Sequence, residues 1–210
     1  MSVKEIYNAV LEFKLEGIKE AVKSKLDDGV DLSEVLNEGL IAAMDEVGMR
    51  FGEGKLFVPE MLQAALVMKE GLKVLEPLML NGEIKSNGTV VIGTVKGDLH
   101  DIGKNLVAMM LEGGGFHVID LGADVDTDHF ITVAEKNNAD IVALSALLTT
   151  TMPAMEATVK AIREKGLPCK TMIGGAPVTE KFQENIGAHA FAADAPGAVE
   201  AARELIGGNG

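Results

Sequence analysis

The chain has 210 residues, of which 47% are hydrophobic and 24% are charged, and its formal net charge is −13; this allows one large domain or two ordinary ones. The acidic balance argues against nucleic acid or an anionic membrane as a partner, because both require a basic face, and no apolar stretch approaches the length of a membrane span. The single cysteine, Cys169, excludes an internal disulfide framework, and the printed sequence opens without a basic-then-apolar leader; we therefore expect a cytoplasmic protein.

The first part of the chain is predicted to be helical. Apolar residues recur at helical spacing over residues 3–26 and, after the break at Asp28-Gly29, over residues 36–47. Pro59 suits the first turn of a further helix, along which leucines recur as far as Leu75. With a break inside the first stretch, these segments make about four helices, which predicts an N-terminal four-helix bundle.

From Thr89 onward, strand and helix patterns alternate. Short β-rich runs lie at 89–95, 116–121, 141–145, 170–173 and 189–192, and helical runs lie between and after them at 102–111, 128–137, 154–165 and 197–206. Such alternation is typical of βαβ units and predicts a parallel sheet. We expect a doubly wound, flavodoxin-like (Rossmann-like) domain of five strands over residues 87–210. The polar stretch 77–87 is the best linker candidate and separates it from a helical domain over residues 1–86.

The most informative segment is the glycine-flanked loop after the first predicted strand, Gly97-Asp98-Leu99-His100-Asp101-Ile102-Gly103. It places His100 between two carboxylates. Histidine is the commonest protein ligand for a metal, and a neighbouring carboxylate fixes its tautomer and strengthens it as a donor. His100 is therefore a candidate metal ligand, although an isolated histidine is more often an ordinary loop residue, and Asp101 also suits the N-cap of the following helix.

Two distant segments are predicted to meet this loop. Ser145-Ala146-Leu147 begins at the end of the third predicted strand, and Gly174-Gly175 ends the fourth. In an open parallel sheet, ligands bind beyond the carboxyl ends of the strands, near the point where the strand order reverses. We therefore expect the three segments to form one site at a single edge of the sheet.

The three segments together carry a family resemblance. The signature of cobalamin-binding domains in the methionine synthase and corrinoid-protein family is DxHxxG…SxL…GG, which this chain resembles at Asp98, His100, Gly103, Ser145, Leu147, Gly174 and Gly175. Residues 94–105 resemble the family's histidine loop almost residue for residue. Residues 51–59 resemble the segment that caps the corrin ring in the family's helical domain. The resemblance covers essentially the whole chain, which is identified as a corrinoid protein of a methyltransferase system.

The resemblance implies a role for each residue of this site. His100 is implied to replace the cofactor's own benzimidazole as the lower axial ligand of cobalt. Asp98 is implied to accept a hydrogen bond from the other ring nitrogen, and Ser145 to complete this relay, which tunes the imidazole's donation to cobalt. The displaced nucleotide tail inserts into the second domain. The implied corrinoid-binding residues are Gly97, Asp98, Leu99, His100, Asp101, Ile102, Gly103, Ser145, Leu147, Thr149, Gly174 and Gly175, with Phe51 and Val58 on the upper corrin face.

Ordinary structural interpretations stay open for several of these residues. Gly174 and Gly175 permit close approach of the nucleotide tail in the family, but a paired glycine is also a common strand-to-helix turn. Thr149 matches a family corrinoid contact, while hydroxyls at 149–151 also suit capping of the next helix. Phe51 and Val58 lie in a predicted glycine-rich loop, where apolar side chains otherwise pack against their own bundle.

The resemblance implies a cobalamin or related corrinoid cofactor and a methyl-carrying function in one-carbon metabolism. The cobalt accepts a methyl group from a substrate-specific methyltransferase and delivers it to a second methyltransferase acting on tetrahydrofolate or coenzyme M. A reductive activase is a further implied partner, and the chain is a component of this system, inactive alone. Two alternatives are a cobalamin-dependent sensor, which usually adds a DNA-binding domain, and a mutase small subunit, which generally lacks the cap segment. Methylamines, methanol and methoxylated aromatics all remain open as the methyl donor.

Overall fold

The computed structural model describes residues 3–80 and 86–207, and the chain divides into two compact units. The first unit comprises Met1–Ser86 with Glu112–Gly115, and the second comprises Asn87–Leu111 with Phe116–Gly210. Among the described residues, no helix is long and apolar enough to cross a lipid bilayer. The assignment of residues 1–86 to a corrinoid cap and of 87–210 to the cofactor domain stays a prediction, as does the cytoplasmic location.

Helices form the first unit. They are α1 (Lys4–Leu11), α2 (Ile18–Asp27), α3 (Leu32–Glu34), α4 (Ala42–Gly52) and α5 (Val58–Leu80), and a π-helical segment, Val35–Ile41, joins α3 to α4 in one continuous run. With that run counted as one helix, residues 3–80 contain the four helices that the sequence predicts. Their apolar faces meet in a core that includes Ile6, Val10, Ile18, Val22, Leu40, Met44, Val47, Met61, Met68 and Leu75.

Local backbone chemistry explains where these helices begin and end. Phe13 (φ 57°) and Gly17 (φ 85°) take left-handed conformations between α1 and α2, which is the break inside the first predicted helical stretch. Asp31 caps α3, because its carboxylate accepts a 2.8 Å hydrogen bond from the backbone N–H of Ser33. The predicted linker begins too early: α5 continues through Pro77 to Leu80. A proline removes one backbone donor without always ending a helix, and residues 81–85 lie outside the described part.

The second unit is a parallel sheet whose strands alternate with helices along the chain. The strands are β1 (Thr89–Thr94), β2 (His117–Asp120), β3 (Ile141–Ser145), β4 (Lys170–Gly174) and β5 (Ala190–Ala192), in the spatial order β2-β1-β3-β4-β5. The helices are α6 (Ile102–Gly113), α7 (Thr127–Lys136), α8 (Met152–Lys165), α9 (Glu180–Ile186) and α10 (Ala195–Gly207). The flavodoxin-like order predicted from the sequence is confirmed.

One helix of this unit, α9, is not predicted by the sequence analysis. The side chain of Thr179 caps its start by accepting a 3.2 Å hydrogen bond from the backbone N–H of Phe182, and Gly187 (φ 72°) ends it. These two caps are the available sequence signals, but the helix has only 7 residues, too few to show a clear apolar period.

The register of the sheet positions the site. Thr94 at the end of β1 pairs with Ser145 at the end of β3, which pairs in turn with Gly174 at the end of β4. The three strands therefore end in one row, and the loops that follow β1, β3 and β4 leave from the same edge. The sheet itself is held by a buried core that includes Val91, Phe130, Val142, Leu144, Val159, Ile162 and Ile173.

Candidate functional site

His100 lies in the loop between β1 and α6 and is fixed through both its backbone and its ring. Its Nδ1 lies 2.7 Å from Oδ1 of Asp98, and its backbone N–H donates a 3.0 Å hydrogen bond to the same oxygen. The hydroxyl of Thr94 donates a 3.0 Å hydrogen bond to the carbonyl oxygen of His100. The His100 side chain is 52% exposed. Since Nδ1 is engaged as a donor, Nε2 is the ring nitrogen with a lone pair for a metal.

Asp98 is the buried anchor of this loop, with 0% exposure. Its second oxygen, Oδ2, accepts hydrogen bonds from the Thr151 hydroxyl and the Leu147 backbone N–H, each at 2.7 Å, and from the Leu148 N–H at 3.3 Å. Burial alone raises the pKa of a carboxyl group, but these donors and His100 outweigh it and hold the pKa of Asp98 well below its ordinary value. Asp98 is thus a carboxylate, and it accepts the Nδ1–H of His100. The predicted hydrogen bond between the two residues is confirmed.

The hydroxyl behind Asp98 belongs to Thr151, not to Ser145 as the sequence analysis expects. Ser145 is the last residue of β3 and is paired within the sheet, whereas Asp98 lies beyond the sheet edge and meets the loop that follows β3. Thr151 precedes α8 but makes no side-chain capping bond to it. Its hydroxyl also lies 2.9 Å from the carbonyl oxygen of Leu148. The prediction that the Thr151 hydroxyl caps the next helix is therefore wrong as well. Thr149, the predicted corrinoid contact, is exposed.

Thr151→Val is expected to destabilise the apo protein by about 1–3 kcal/mol, because it removes a donor from a buried carboxylate without changing side-chain shape. Ser145→Ala, the matched control, should change stability by less than about 0.5 kcal/mol. Asp98 has a lowered pKa, so its contribution is present above the unfolded pKa of about 3.9 and is lost as the pH falls below it. Loss of the Thr151 donor raises that pKa, so acid unfolding should begin at higher pH. Urea unfolding at neutral and acid pH measures both effects; an equal or larger loss in Ser145→Ala would contradict this assignment.

The glycine pair is required by its neighbours in the same unit. A Cβ atom on Gly175 would overlap the carbonyl oxygen of Ala146 and lie 2.9 Å from its carbonyl carbon, and φ is +127°. A Cβ atom on Gly174 would lie 2.9 Å from the carbonyl oxygen of Ala192. Close packing between the ends of β3, β4 and β5 therefore explains both glycines. Their role toward a nucleotide tail stays a prediction.

The surface around His100 is apolar and exposed. Leu99 is 76% exposed and Ile102 is 81% exposed, and Leu147 and Leu148 from the loop after β3 are also exposed. Gly103 adds open space beside the start of α6, since a Cβ atom there would meet nothing within 4 Å. Exposed large apolar side chains around one polar group are typical of a ligand-binding surface.

His100 and its apolar neighbours fit a metal ion that a cofactor already coordinates at most positions. Within residues 3–80 and 86–207, no group of three or more His, Cys, Asp or Glu side chains could hold a metal ion. One imidazole nitrogen is therefore the donor that His100 and its surroundings offer. A corrin ring supplies the remaining equatorial ligands and presents a broad apolar face, which matches the apolar residues beside His100. The site thus fits a corrinoid.

The other predicted site residues have mixed outcomes. Asp101 immediately precedes α6, and its carbonyl oxygen accepts the 2.7 Å hydrogen bond from Asn105 N–H that opens the helix. In the first unit, the predicted loop 51–59 is shorter than expected, because Phe51 belongs to α4 and Val58 begins α5. Phe51 is half-buried, whereas Val58 is exposed. Their contact with a corrin stays a prediction.

Sequence reasoning also missed a buried ion pair beside the histidine loop. Lys104 in the first turn of α6 is 2% exposed, and its Nζ lies 2.6 Å from each carboxylate oxygen of Asp120 at the end of β2. A buried lysine needs such a partner. The pair ties the start of α6, and thus the residues after His100, to the edge of the sheet.

Comparisons with known proteins decide the family. The family model of the B12 binding domain matches residues 88–203, more than half of the chain. The chain belongs to the B12-binding family. A second B12 binding domain model matches residues 3–76 of this B12-binding protein, so its helical part has a family counterpart as well.

Relatives match this B12-binding protein over nearly its whole length. It is 42% identical over 207 residues to dimethylamine corrinoid protein 1 of Methanosarcina acetivorans, with 97% of each chain covered. It is 42% identical over 195 residues to the trimethylamine corrinoid protein of Methanosarcina barkeri, covering 91% of this chain and 90% of that protein. In the crystal structure of the methanol:cobalamin methyltransferase complex from Methanosarcina barkeri, a chain matches with a TM-score of 0.87 and 28% identity, covering 99% of this chain and 80% of that chain.

These findings confirm the predicted fold class, the corrinoid cofactor and the function as methyl-carrying corrinoid protein of a methyltransferase system. The matched relatives are named as corrinoid proteins, which favours the carrier over the sensor and the mutase subunit. The roles of individual residues stay predictions.

Proposed function

We propose that this B12-binding protein carries methyl groups from a methylamine, with dimethylamine as its donor. The observation that carries the proposal is that relatives matched over nearly the whole chain are named for methylamines, and several of them for dimethylamine. The geometry around His100 supports the carrier role, because one oriented imidazole beside an apolar surface suits a protein that holds a corrinoid and leaves donor recognition to a partner.

Residues of the second unit would hold the cofactor. Nε2 of His100 would bind the cobalt, while Asp98, which accepts the Nδ1–H, fixes the ring's tautomer and would raise its donor strength. The corrinoid, when bound, supplies the cobalt atom that accepts and gives up the methyl group. The exposed side chains of Leu99 and Ile102 would contact the apolar macrocycle and exclude water from the bond between His100 and the metal. The nucleotide tail would pass along the backbone at Gly103, Gly174 and Gly175.

The proposal also assigns the first unit and the partners. Residues 1–86 would form the corrin cap, with Phe51 and Val58 as its contacts to the ring, and residues 87–210 would form the cofactor domain. A substrate-specific methyltransferase would supply the methyl group, a second methyltransferase would transfer it to an acceptor, and a reductive activase would supply the electron that returns oxidised cobalt to its reduced state.

Methyl-transfer assays test this function. The full chain is reconstituted anaerobically with cobalamin, reduced, and mixed with methyltransferases specific for monomethylamine, dimethylamine, trimethylamine or methanol, each with its own donor. We expect the corrinoid absorbance to report methylation fastest with dimethylamine and its methyltransferase, and transfer to require a second methyltransferase. Methylation with the methanol system alone would contradict the methylamine assignment, and DNA binding without partner-dependent methylation would favour the sensor.

A further inference from the structure

Asp124 stands out in the loop that follows β2. Its φ is +56°, in the left-handed region that residues other than glycine seldom adopt, although aspartate tolerates it better than most. Such a conformation persists where surrounding contacts hold it in place. The contacts that hold Asp124 lead to the histidine loop.

Two hydrogen bonds of opposite direction join Asp124 to this loop. Its Oδ1 accepts a 2.9 Å hydrogen bond from the backbone N–H of Gly97, and its own N–H donates a 2.9 Å hydrogen bond to the carbonyl oxygen of Asp98. The left-handed backbone of Asp124 accompanies this arrangement, in which side chain and main chain both engage the loop. Lys96 also lies near, with its Nζ 3.4 Å from the Asp124 carboxylate.

The loop needs such support from outside. Gly97 (φ +84°) lies at its turn and has no side chain with which to fix its own backbone. Asp98 in turn sets the ring of His100 through the 2.7 Å bond to Nδ1. A displacement of the backbone at residues 97–98 would therefore also displace the imidazole ring of His100.

We propose that Asp124 is a positioning residue: by holding Gly97 and Asp98 it places His100 for metal ligation. The inference rests on the proposed role of His100 as the cobalt ligand. Asp124 itself touches neither the ring nor a cofactor in this scheme. It acts through the backbone of the loop, and Asp98 transmits its effect to the imidazole.

Substitutions at Asp124 and a neighbouring aspartate separate this role from charge pairing. Asp124→Gly removes the acceptor without backbone strain, and Asp124→Asn removes the charge but keeps an oxygen that can accept the Gly97 N–H. Asp126→Ala is the matched control, because Asp126 also pairs with Lys96 at 3.4 Å, while within the described part of the chain its carboxylate makes no hydrogen bond to residues 97–103.

Two properties are measured for each variant, the amide hydrogen exchange of the apo protein and the cobalt coordination of the reconstituted protein. In the apo protein, amide hydrogen exchange at Gly97 should quicken about tenfold in Asp124→Gly, and remain near wild type in Asp124→Asn and Asp126→Ala. Exchange at Val91 and Val142 in the core reports whether the variant is folded. In the reconstituted protein, Asp124→Gly should weaken cobalamin binding about tenfold to a hundredfold. The fraction of cobalt(II) that shows coupling to a histidine nitrogen should fall with it.

The results distinguish the inference about Asp124 from the proposed role of His100 as the cobalt ligand. Unchanged Gly97 exchange and histidine coupling in folded Asp124→Gly would overturn the inference, as would equal losses in Asp126→Ala. Absence of histidine coupling in the wild-type protein would instead contradict the proposed role of His100. The exchange of Gly97 would still show whether Asp124 holds the loop.

Discussion

His100→Ala is expected to abolish the coupling between a histidine nitrogen and cobalt(II) and to weaken corrinoid binding by at least about tenfold. The reason is the geometry of the loop: Asp98 occupies Nδ1, and the half-exposed ring leaves Nε2 as the donor. Among the described residues no cluster of ligating side chains could take over a metal. Electron paramagnetic resonance of the reduced, reconstituted protein measures the effect, with heavy-nitrogen histidine labelling to identify the coupled atom.

His129→Ala provides the matched control for this experiment. His129 is an exposed histidine on α7 of the same unit, and its ring makes no hydrogen bond to a carboxylate of any residue that the structure describes. Its loss should leave both the coupling and the affinity for cobalamin near their wild-type values. Persistence of labelled-histidine coupling in His100→Ala would refute the assignment of this residue as the ligand.

Gly175→Ala is expected to be the most destabilising single substitution at the site, at about 3–5 kcal/mol or more. The added Cβ would overlap the carbonyl group of Ala146. The carbon and oxygen of that carbonyl belong to the backbone, so they can move only if the chain after β3 moves. The φ of +127° adds strain for any residue with a side chain. Relief of the clash must shift the loop after β3, which carries the N–H of Leu147 that binds Asp98. Stability and cofactor binding should therefore fall together.

Gly103→Ala is the control for stability in the apo protein. Its Cβ would meet nothing within 4 Å and lies in the first turn of α6, where alanine is favoured over glycine by about 0.5–1 kcal/mol. Urea unfolding of both apo variants, followed by circular dichroism, compares them directly. A Gly175→Ala protein within about 1 kcal/mol of the wild type would show that the edge between β3 and β4 is looser than its packing indicates.

The architecture could be predicted because its signals are local. β1 and β3 are buried along most of their length and appear in the sequence as short continuous apolar runs, such as 90–92 and 141–144. The bond between Asp98 and His100 spans two residues, so the loop sequence alone suggests it. Where local signals are short or ambiguous, the sequence predicts less. It does not predict the short helix α9, and it places the end of α5 before Pro77, although the helix continues to Leu80.

The partners of Asp98 and Gly97 could not be predicted, because the bonds to them join distant parts of the chain. Thr151 lies 53 residues from Asp98, and Asp124 lies 27 residues from Gly97. Neither bond follows a periodic pattern. Each depends on how loops after different strands meet at the edge of the sheet where the strands end. The same holds for Gly175, whose constraint comes from Ala146 across the sheet.

The amino-acid order by itself determined the succession of helices and strands, the histidine-bearing loop and the class of cofactor, since each depends on neighbours a few residues apart or on short motifs that can be identified along the sequence. Tertiary structure alone decided that Thr151 stands behind Asp98, that Asp124 holds Gly97, and that Gly175 meets Ala146. These contacts exist because parallel strands bring loops from distant segments to one edge, where distance in space no longer follows distance along the chain.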